Sequence, residues 1–390
     1  MTAPLGDFSP EQFLAEYWQK KPCLIRQALP DFKPLLDGDD LAGLACEEMA
    51  DSRLIKGSFA TTDWQIEHGP FEETYFSRLP EENWTLLVQD AEKLYAPLQA
   101  LLQQFSFIPN WRLDDLMVSY AVSGGSTGPH VDQYDVFLLQ AQGSRRWQIA
   151  ETFNPVLLED CPLNVLREFT PEQEWLLEAG DMLYLPPNVA HHGVAIEAGM
   201  TWSIGSRAPS AADLLQGLGE WLAFAGDEGG RYSDPRLKPP ARAGEIDASA
   251  LQGLRELMLA RVNDADKLDS FLAAFLSRFR LANDPAPPPV SLDTEAVLKS
   301  LRNGEQLQRN PWTRLTWIET SSAACLYAAG QAYDCDIWLA ESLCGKDNPS
   351  INVDRLDDAA LDTLTRLINH GHFVLAATTQ VALSHHETVL

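Results

Sequence analysis

Residues 116–207 are written in short β-like pieces. The stretches LMVSYAV, HVDQYDVFLLQ, RRWQIA, EWLLEA, DMLYLPP, HHGVAIE and MTWSIGS are rich in Val, Leu, Tyr, Phe and Trp. The turns SGGSTGP, AQGS, EAGD and EAGM separate them. Many short strands at this spacing, punctuated by glycine, predict an antiparallel sandwich or barrel.

Two of these pieces carry side chains that bind metals. His130 and Asp132 stand two apart on a predicted strand, where alternate residues share a face. His191 follows Pro186-Pro187 in the element GDMLYLPPNVAHHG. Two hairpin strands bearing His-x-Asp and a later His can form a facial triad of two imidazoles and one carboxylate. Such a triad leaves open positions on an octahedral metal and suits non-haem Fe(II). A lone His-x-Asp is weak evidence. The glycine-rich approach, the second element and the all-β texture together make it specific. His192 is adjacent to His191 but faces the other side of a strand. His68, His370, His372, His385 and His386 lack a ligand-spaced partner and read as surface or core histidines. Arg145 and Arg146 follow the AQGS turn and also point to opposite faces, so one of them can offer a bidentate fork to a carboxylate.

The rest of the chain is helical or mixed. Ser9-Pro10-Glu11-Gln12 is a helix start, and the helix should run to about residue 19 before Pro22 breaks it. A strand over CLIRQAL, a helix near residues 40–49 and strands near 53–59 and 64–68 follow. Beyond Pro209, Ser210 with Asp213 resembles a capping box. A Gly/Pro-rich stretch over residues 226–240 precedes one long amphipathic segment over about 248–281. Asp284-Pro-Ala-Pro-Pro-Pro reads as a stiff linker. The last hundred residues alternate helix and strand in a winged-helix-like order. The expected class is α+β, with domain boundaries at 1–209, 210–284 and 285–390.

Charge narrows the partners. The chain has 390 residues with 56 Asp and Glu against 29 Lys and Arg, a net of -27. Binding led by phosphate neutralisation is disfavoured, and a basic partner is favoured. Residues 290–390 carry 13 acidic and 7 basic residues, so no DNA binding is expected from the winged-helix-like part. No long apolar run predicts a membrane helix, and no signal peptide is seen. The six scattered cysteines fit reduced thiols in a cytoplasmic protein.

HVDQYD, GDMLYLPPNVAHH, the SRRW hairpin and the opening YWQKKP together resemble the JmjC-type cupin oxygenases, and within them the bacterial ribosomal protein oxygenases. The resemblance covers most of the chain. It implies a double-stranded β-helix barrel, a helical dimerisation region and a winged-helix-like C-terminal domain. It implies Fe(II), 2-oxoglutarate as co-substrate and O2, with homodimerisation. It places the metal on His130, Asp132 and His191, and 2-oxoglutarate on Arg145 and Ser119. Thr201 stands where relatives often carry Asn and is left unassigned. The implied reaction is hydroxylation, at the β-carbon, of an arginine in a basic large-subunit ribosomal protein, the sixteenth. Tyr134 and Asp135 are candidates for cradling that arginine. Asp114 and Asp115 are candidates too, but read first as turn or strand-packing residues. Two alternatives stand beside this reading. One is the same chemistry on a histidine of another ribosomal protein, on methyl-lysine or on a small molecule. The other is a non-catalytic cupin-like scaffold.

Overall fold

The computed structural model describes residues 3–224, 230–321, 323–345 and 349–376. His385, His386 and residues 226–229 of the Gly/Pro-rich stretch lie outside them. The chain divides into two compact units, Met1–Ala208 and Pro209–Leu390.

The first unit is a two-sheet barrel. Its strands are β1 (Cys23–Ile25), β2 (Ser52–Lys56), β3 (Gln65–His68), β4 (Trp84–Val88), β5 (Leu113–Ala121), β6 (His130–Val131), β7 (Asp135–Gln142), β8 (Arg145–Ala150), β9 (Gln173–Leu177), β10 (Met182–Leu185), β11 (Ala190–Ala195) and β12 (Gly199–Ser206). The larger sheet runs β1-β10-β7-β12-β5-β4-β2-β3, and the smaller runs β6-β11-β8-β9. All the pairings are antiparallel. The order interleaves strands distant in sequence, as a double-stranded β-helix requires.

Period-2 alternation sorts the side chains. On the outer face of the larger sheet, Leu116, Val118, Phe137, Leu139, Tyr184, Trp202 and Ile204 form the main core with Phe13 of the N-terminal helix. On the inner face, Val136, Leu138, Leu183 and Leu185 meet Trp147, Ile149 and Leu177 of the smaller sheet. Strand β7 is therefore buried on both faces over nearly its whole length. The other inner positions near the barrel mouth are polar, and they form the cavity described below.

The first helix is Pro10–Glu16. Its capping box is formed: Ser9 Oγ accepts the Gln12 N–H at 3.2 Å, and Gln12 Oε1 accepts the Ser9 N–H at 3.0 Å. It stops short of residue 19 because Gln19 adopts φ +55° and donates its N–H to Tyr184 Oη at 2.8 Å. The second helix is Gly38–Leu44, two residues earlier than the sequence suggests, because the Asp37 carboxylate caps it by accepting from Asp39 and Asp40. Strand β4 has no counterpart in the sequence reading. A five-residue apolar run carries no periodicity to distinguish strand from helix.

The second unit opens with the helix Ala211–Phe224, started by the expected Ser210–Asp213 box. The single long segment expected over 248–281 is two helices, Ala248–Val262 and Ala265–Arg278. Asn263 ends the first, and the Asp264 carboxylate accepts the Lys267 N–H to start the second, so the break has its own cap. The second helix packs on the three-stranded sheet Leu315–Glu319, Ala324–Ala328 and Gln331–Cys335. Thr316 Oγ1 donates to the Ala273 carbonyl at 2.8 Å. Helices Thr294–Arg302, Ile337–Gly345 and Asp358–Asn369 surround a common core with that sheet. The second unit thus has the winged-helix-like order of helices and small sheets that the sequence suggests. All six cysteines are unpaired thiols.

Candidate active site

The site is built by strand parity. On β5 the inward residues are Asp115, Met117 and Ser119; on β12 they are Thr201, Ser203 and Gly205; on β8, Arg145 and Trp147; on β11, His191. They line one cavity of about 250 Å³, together with His130 of β6 and with Asp132 and Tyr134 from the segment joining β6 to β7.

His130, Asp132 and His191 bring one ligand atom each within 4.8 Å of one another. Among the described residues this is the one cluster able to hold a metal ion. His191 Nε2 lies 3.7 Å from Asp132 Oδ2, and the two imidazole centroids are 4.3 Å apart. Each ring is aimed by a backbone carbonyl. His130 Nδ1 meets the Gly128 carbonyl at 2.8 Å, and His191 Nδ1 meets that of Val189 at 3.0 Å. A carbonyl only accepts, so both protons sit on Nδ1 and both Nε2 lone pairs are free. Burial, and secondarily His130, lowers the His191 pKa to about 4, so the imidazole is neutral. Two imidazoles oriented by their second hydrogen bonds, with the carboxyl group of Asp132, fit a divalent metal of the Fe(II) type.

His192 is not in this cluster. It pairs with Gln148 on the neighbouring strand, and its ring lies against Phe59 and Phe169 at 5.6 and 6.0 Å.

Arg145 is buried beside the triad. Nη2 donates to the Gly193 carbonyl at 3.1 Å and Nη1 to Thr201 Oγ1 at 3.4 Å, while Nε has no partner. Among the described residues no carboxylate pairs with it. Burial lowers its pKa to about 10. A buried cation without a counter-ion is costly unless a ligand supplies the anion. Arg146 is exposed, as parity requires. Ser119 lines the cavity and donates to the Thr201 carbonyl at 3.0 Å.

The two substrate candidates separate. Tyr134 lines the cavity, with the Arg207 guanidinium 4.4 Å from its ring centroid. Asp135 does not. It shares the outward parity of Phe137 and Leu139, and its carboxylate accepts from Tyr184 Oη at 2.6 Å, Gln19 Nε2 at 3.0 Å and Arg112 Nη2 at 3.1 Å. Asp135 therefore ties the barrel to the N-terminal helix region and is corrected from substrate residue to structural anchor. Asp114 and Asp115 are strand residues, not turn residues. Asp114 pairs with Arg207 at 2.7 Å, whereas Asp115 is in the cavity wall. Burial, then Asp114 and Glu92, push the Asp115 pKa up to about 8.

Thr201 was unassigned from sequence. Its Oγ1 donates to Gln140 Oε1 at 3.0 Å and faces Arg145. The available signal was parity: β12 runs antiparallel to β5 with Thr201 opposite Ser119.

A metal-binding triad and an unpaired buried arginine at the mouth of a double-stranded β-helix define a JmjC-type cupin oxygenase, dependent on Fe(II) and 2-oxoglutarate. Residues 100–214 match the JmjC domain, and residues 260–373 match the ROXA-like winged helix. The chain is 35% identical to the ribosomal protein uL16 3-hydroxylase of Escherichia coli over 369 residues, covering 93% of this chain and 96% of that one. The solved structure of Escherichia coli YcfD superposes with a TM-score of 0.87 at 33% identity, covering 96% of this chain and 100% of that chain. A YcfD structure in complex with cobalt and 2-oxoglutarate gives 0.81 at 32% identity, over 95% and 98% of the two chains. The chain belongs to the JmjC-domain ribosomal oxygenases.

Proposed function

We propose that the protein hydroxylates the β-carbon of an arginine in the large-subunit ribosomal protein uL16. One observation carries the substrate class. A carboxylate, Asp115, and an aromatic face, Tyr134, share the cavity of the metal triad. A planar cation entering between them would bring the raised pKa of Asp115 back down and pair with the resulting carboxylate beside the ring.

His130, Asp132 and His191 hold the metal. When bound, it supplies O2 activation coupled to oxidation of 2-oxoglutarate to succinate and CO2. Arg145 holds the distal carboxylate of 2-oxoglutarate, with the Thr201 and Ser119 hydroxyls beside it. The apolar inner wall of Val136, Leu138 and Trp147 keeps water from the reacting carbon. Asp115 takes the guanidinium and Tyr134 forms a wall beside it, so the aliphatic part of the arginine is positioned for reaction.

The net charge of -27 favours capture of a basic ribosomal protein before or outside assembly, since rRNA repels an acidic surface. The reading includes a cytoplasmic homodimer. Supporting it, Leu215, Phe224, Leu254, Met258 and Leu259 are exposed on the helices Ala211–Phe224 and Ala248–Val262.

The test is intact-mass analysis of large-subunit ribosomal proteins from cells with and without the gene. Loss of one oxygen atom's mass from uL16 alone is expected. An unchanged uL16 with a change on another protein would reassign the substrate. No change anywhere, with no peptide-dependent succinate formation in vitro, would reject the hydroxylase reading.

A further inference from the structure

Asp115 has two oxygens in different surroundings. Oδ2 accepts a short hydrogen bond from Gln89 Nε2. Oδ1 lies over Gly205, the residue opposite Asp115 in the β5–β12 pairing. A Cβ at Gly205 would stand 2.8 Å from that oxygen and would push it from its position. Oδ1 has no hydrogen-bond partner among the described residues. Gln89 and Gly205 both line the cavity.

The orientation of the Gln89 amide is fixed from both sides. Its Oε1 faces Arg53 Nη2 at 3.5 Å, and its Nε2 faces the carboxylate. A flipped amide would set NH2 against a guanidinium and C=O against a carboxylate. The first contact is repulsive, and the second is too once a bound cation ionises Asp115, so the network favours one orientation. Arg53 itself lines the cavity and touches Met117 Sδ at 3.8 Å.

We infer that Gln89 is a positioning residue for substrate specificity: it pins Oδ2 of Asp115 so that Oδ1, seated over Gly205, is presented to the guanidinium of the substrate. This rests on the reading of Asp115 as the cation anchor. Its consequence is geometric. A carboxylate fixed by one oxygen offers one defined acceptor, and a mobile carboxylate offers two undefined ones. The fixed form discriminates planar guanidinium from a compact ammonium by position rather than by charge. Gln89 does not touch the reacting atoms, so its loss acts on substrate capture and not on the chemical step.

The experiment is a double-mutant cycle of Gln89→Met and Asp115→Asn, with hydroxylation of an arginine-bearing uL16 peptide as the readout. Gln89→Met is expected to raise the peptide KM roughly tenfold with kcat changed less than about twofold. The 2-oxoglutarate KM should stay in place, which a general collapse of the cavity would move. In the Asp115→Asn background the same substitution should alter kcat/KM less than about twofold. An unchanged peptide KM in Gln89→Met, or an equal loss in both backgrounds, would overturn the inference about Gln89. No effect of Asp115→Asn itself would instead overturn the reading of Asp115 as anchor. Gly205→Ala is an independent arm. It should raise the peptide KM without moving that of 2-oxoglutarate, and an unaltered peptide KM would also count against the proposal.

Discussion

The Arg145 guanidinium reaches Thr201 Oγ1 at 3.4 Å across the inner face of the barrel, and its Nε has no hydrogen-bond partner among the described residues. The pair is a half-built anion site. Removing the cation should therefore help the fold and harm the function. Arg145→Met is expected to melt no lower than the parent without ligand, because a buried unpaired charge is replaced by an apolar chain. Its affinity for 2-oxoglutarate should fall by about a hundredfold or more, the effect of losing one partner of a buried charge pair. Thermal shifts with and without 2-oxoglutarate check both parts. A strongly destabilised apo variant would contradict the account.

The two adjacent histidines should behave differently. His191→Ala removes a neutral imidazole whose Nε2 is directed at the triad, and metal binding should be lost. His192→Ala removes a ring packed between Phe59 and Phe169. It should lower stability by about 1–3 kcal/mol while still binding metal. Cobalt(II) titration followed by absorbance, alongside urea melts, separates them.

Gly128 controls the aim of His130. It has φ +77°, and its carbonyl accepts from His130 Nδ1 at 2.8 Å. A Cβ there would come within 2.7 Å of Val165 Cγ2 and 3.0 Å of the Trp64 ring. Gly128→Ala should weaken metal binding by about ten- to a hundredfold through misdirection of the imidazole, although Gly128 is not a ligand. An unaltered cobalt affinity would show that the loop absorbs the change elsewhere.

His372 gives the second unit a pH dependence. It is buried, its Nδ1 lies 3.2 Å from Thr313 Oγ1, and His370 and Asp284 are the ionisable groups that act on it. Burial, then His370, lowers its pKa from 6.5 to about 4. Between those values the unfolded chain takes up a proton that the folded one refuses. Stability from this group is therefore intact above 6.5 and falls as pH drops toward 4. His372→Gln should flatten the loss of stability between about pH 7 and about pH 5. Urea midpoints at the two pH values measure it, and an unchanged slope would assign the effect to other groups.

The metal cluster was legible because its donors lie in two short motifs whose spacing carries the geometry. Its support was less visible. Thr201 and Asp115 come from two strands, β12 and β5, and Gln89 from the residue after β4, and they meet only through cross-strand register. Asp135 shows the same limit in reverse. Its acidity suits the cradle of a substrate arginine, but β7 turns it outward to Tyr184 and Arg112. In the second unit, the apolar face expected over 248–281 is present on Ala265–Arg278, whereas Ala248–Val262 buries no residue, and Asp264 divides the two. Helix-capping boxes, which are local chemistry, were readable at Ser9 and Ser210.

The pairing of β5 with β12 stays in step from Gly199 to Gly205, with Asp115, Ser119 and Thr201 all on the inner side. A single inserted or deleted residue in either strand would exchange that polar set for Leu116, Val118 and Trp202. Evolution can thus retune the pocket by point replacement but not by changing strand length. Length variation among relatives should accumulate in the connecting loops, and a gap falling inside either strand would mark a chain that has abandoned the chemistry.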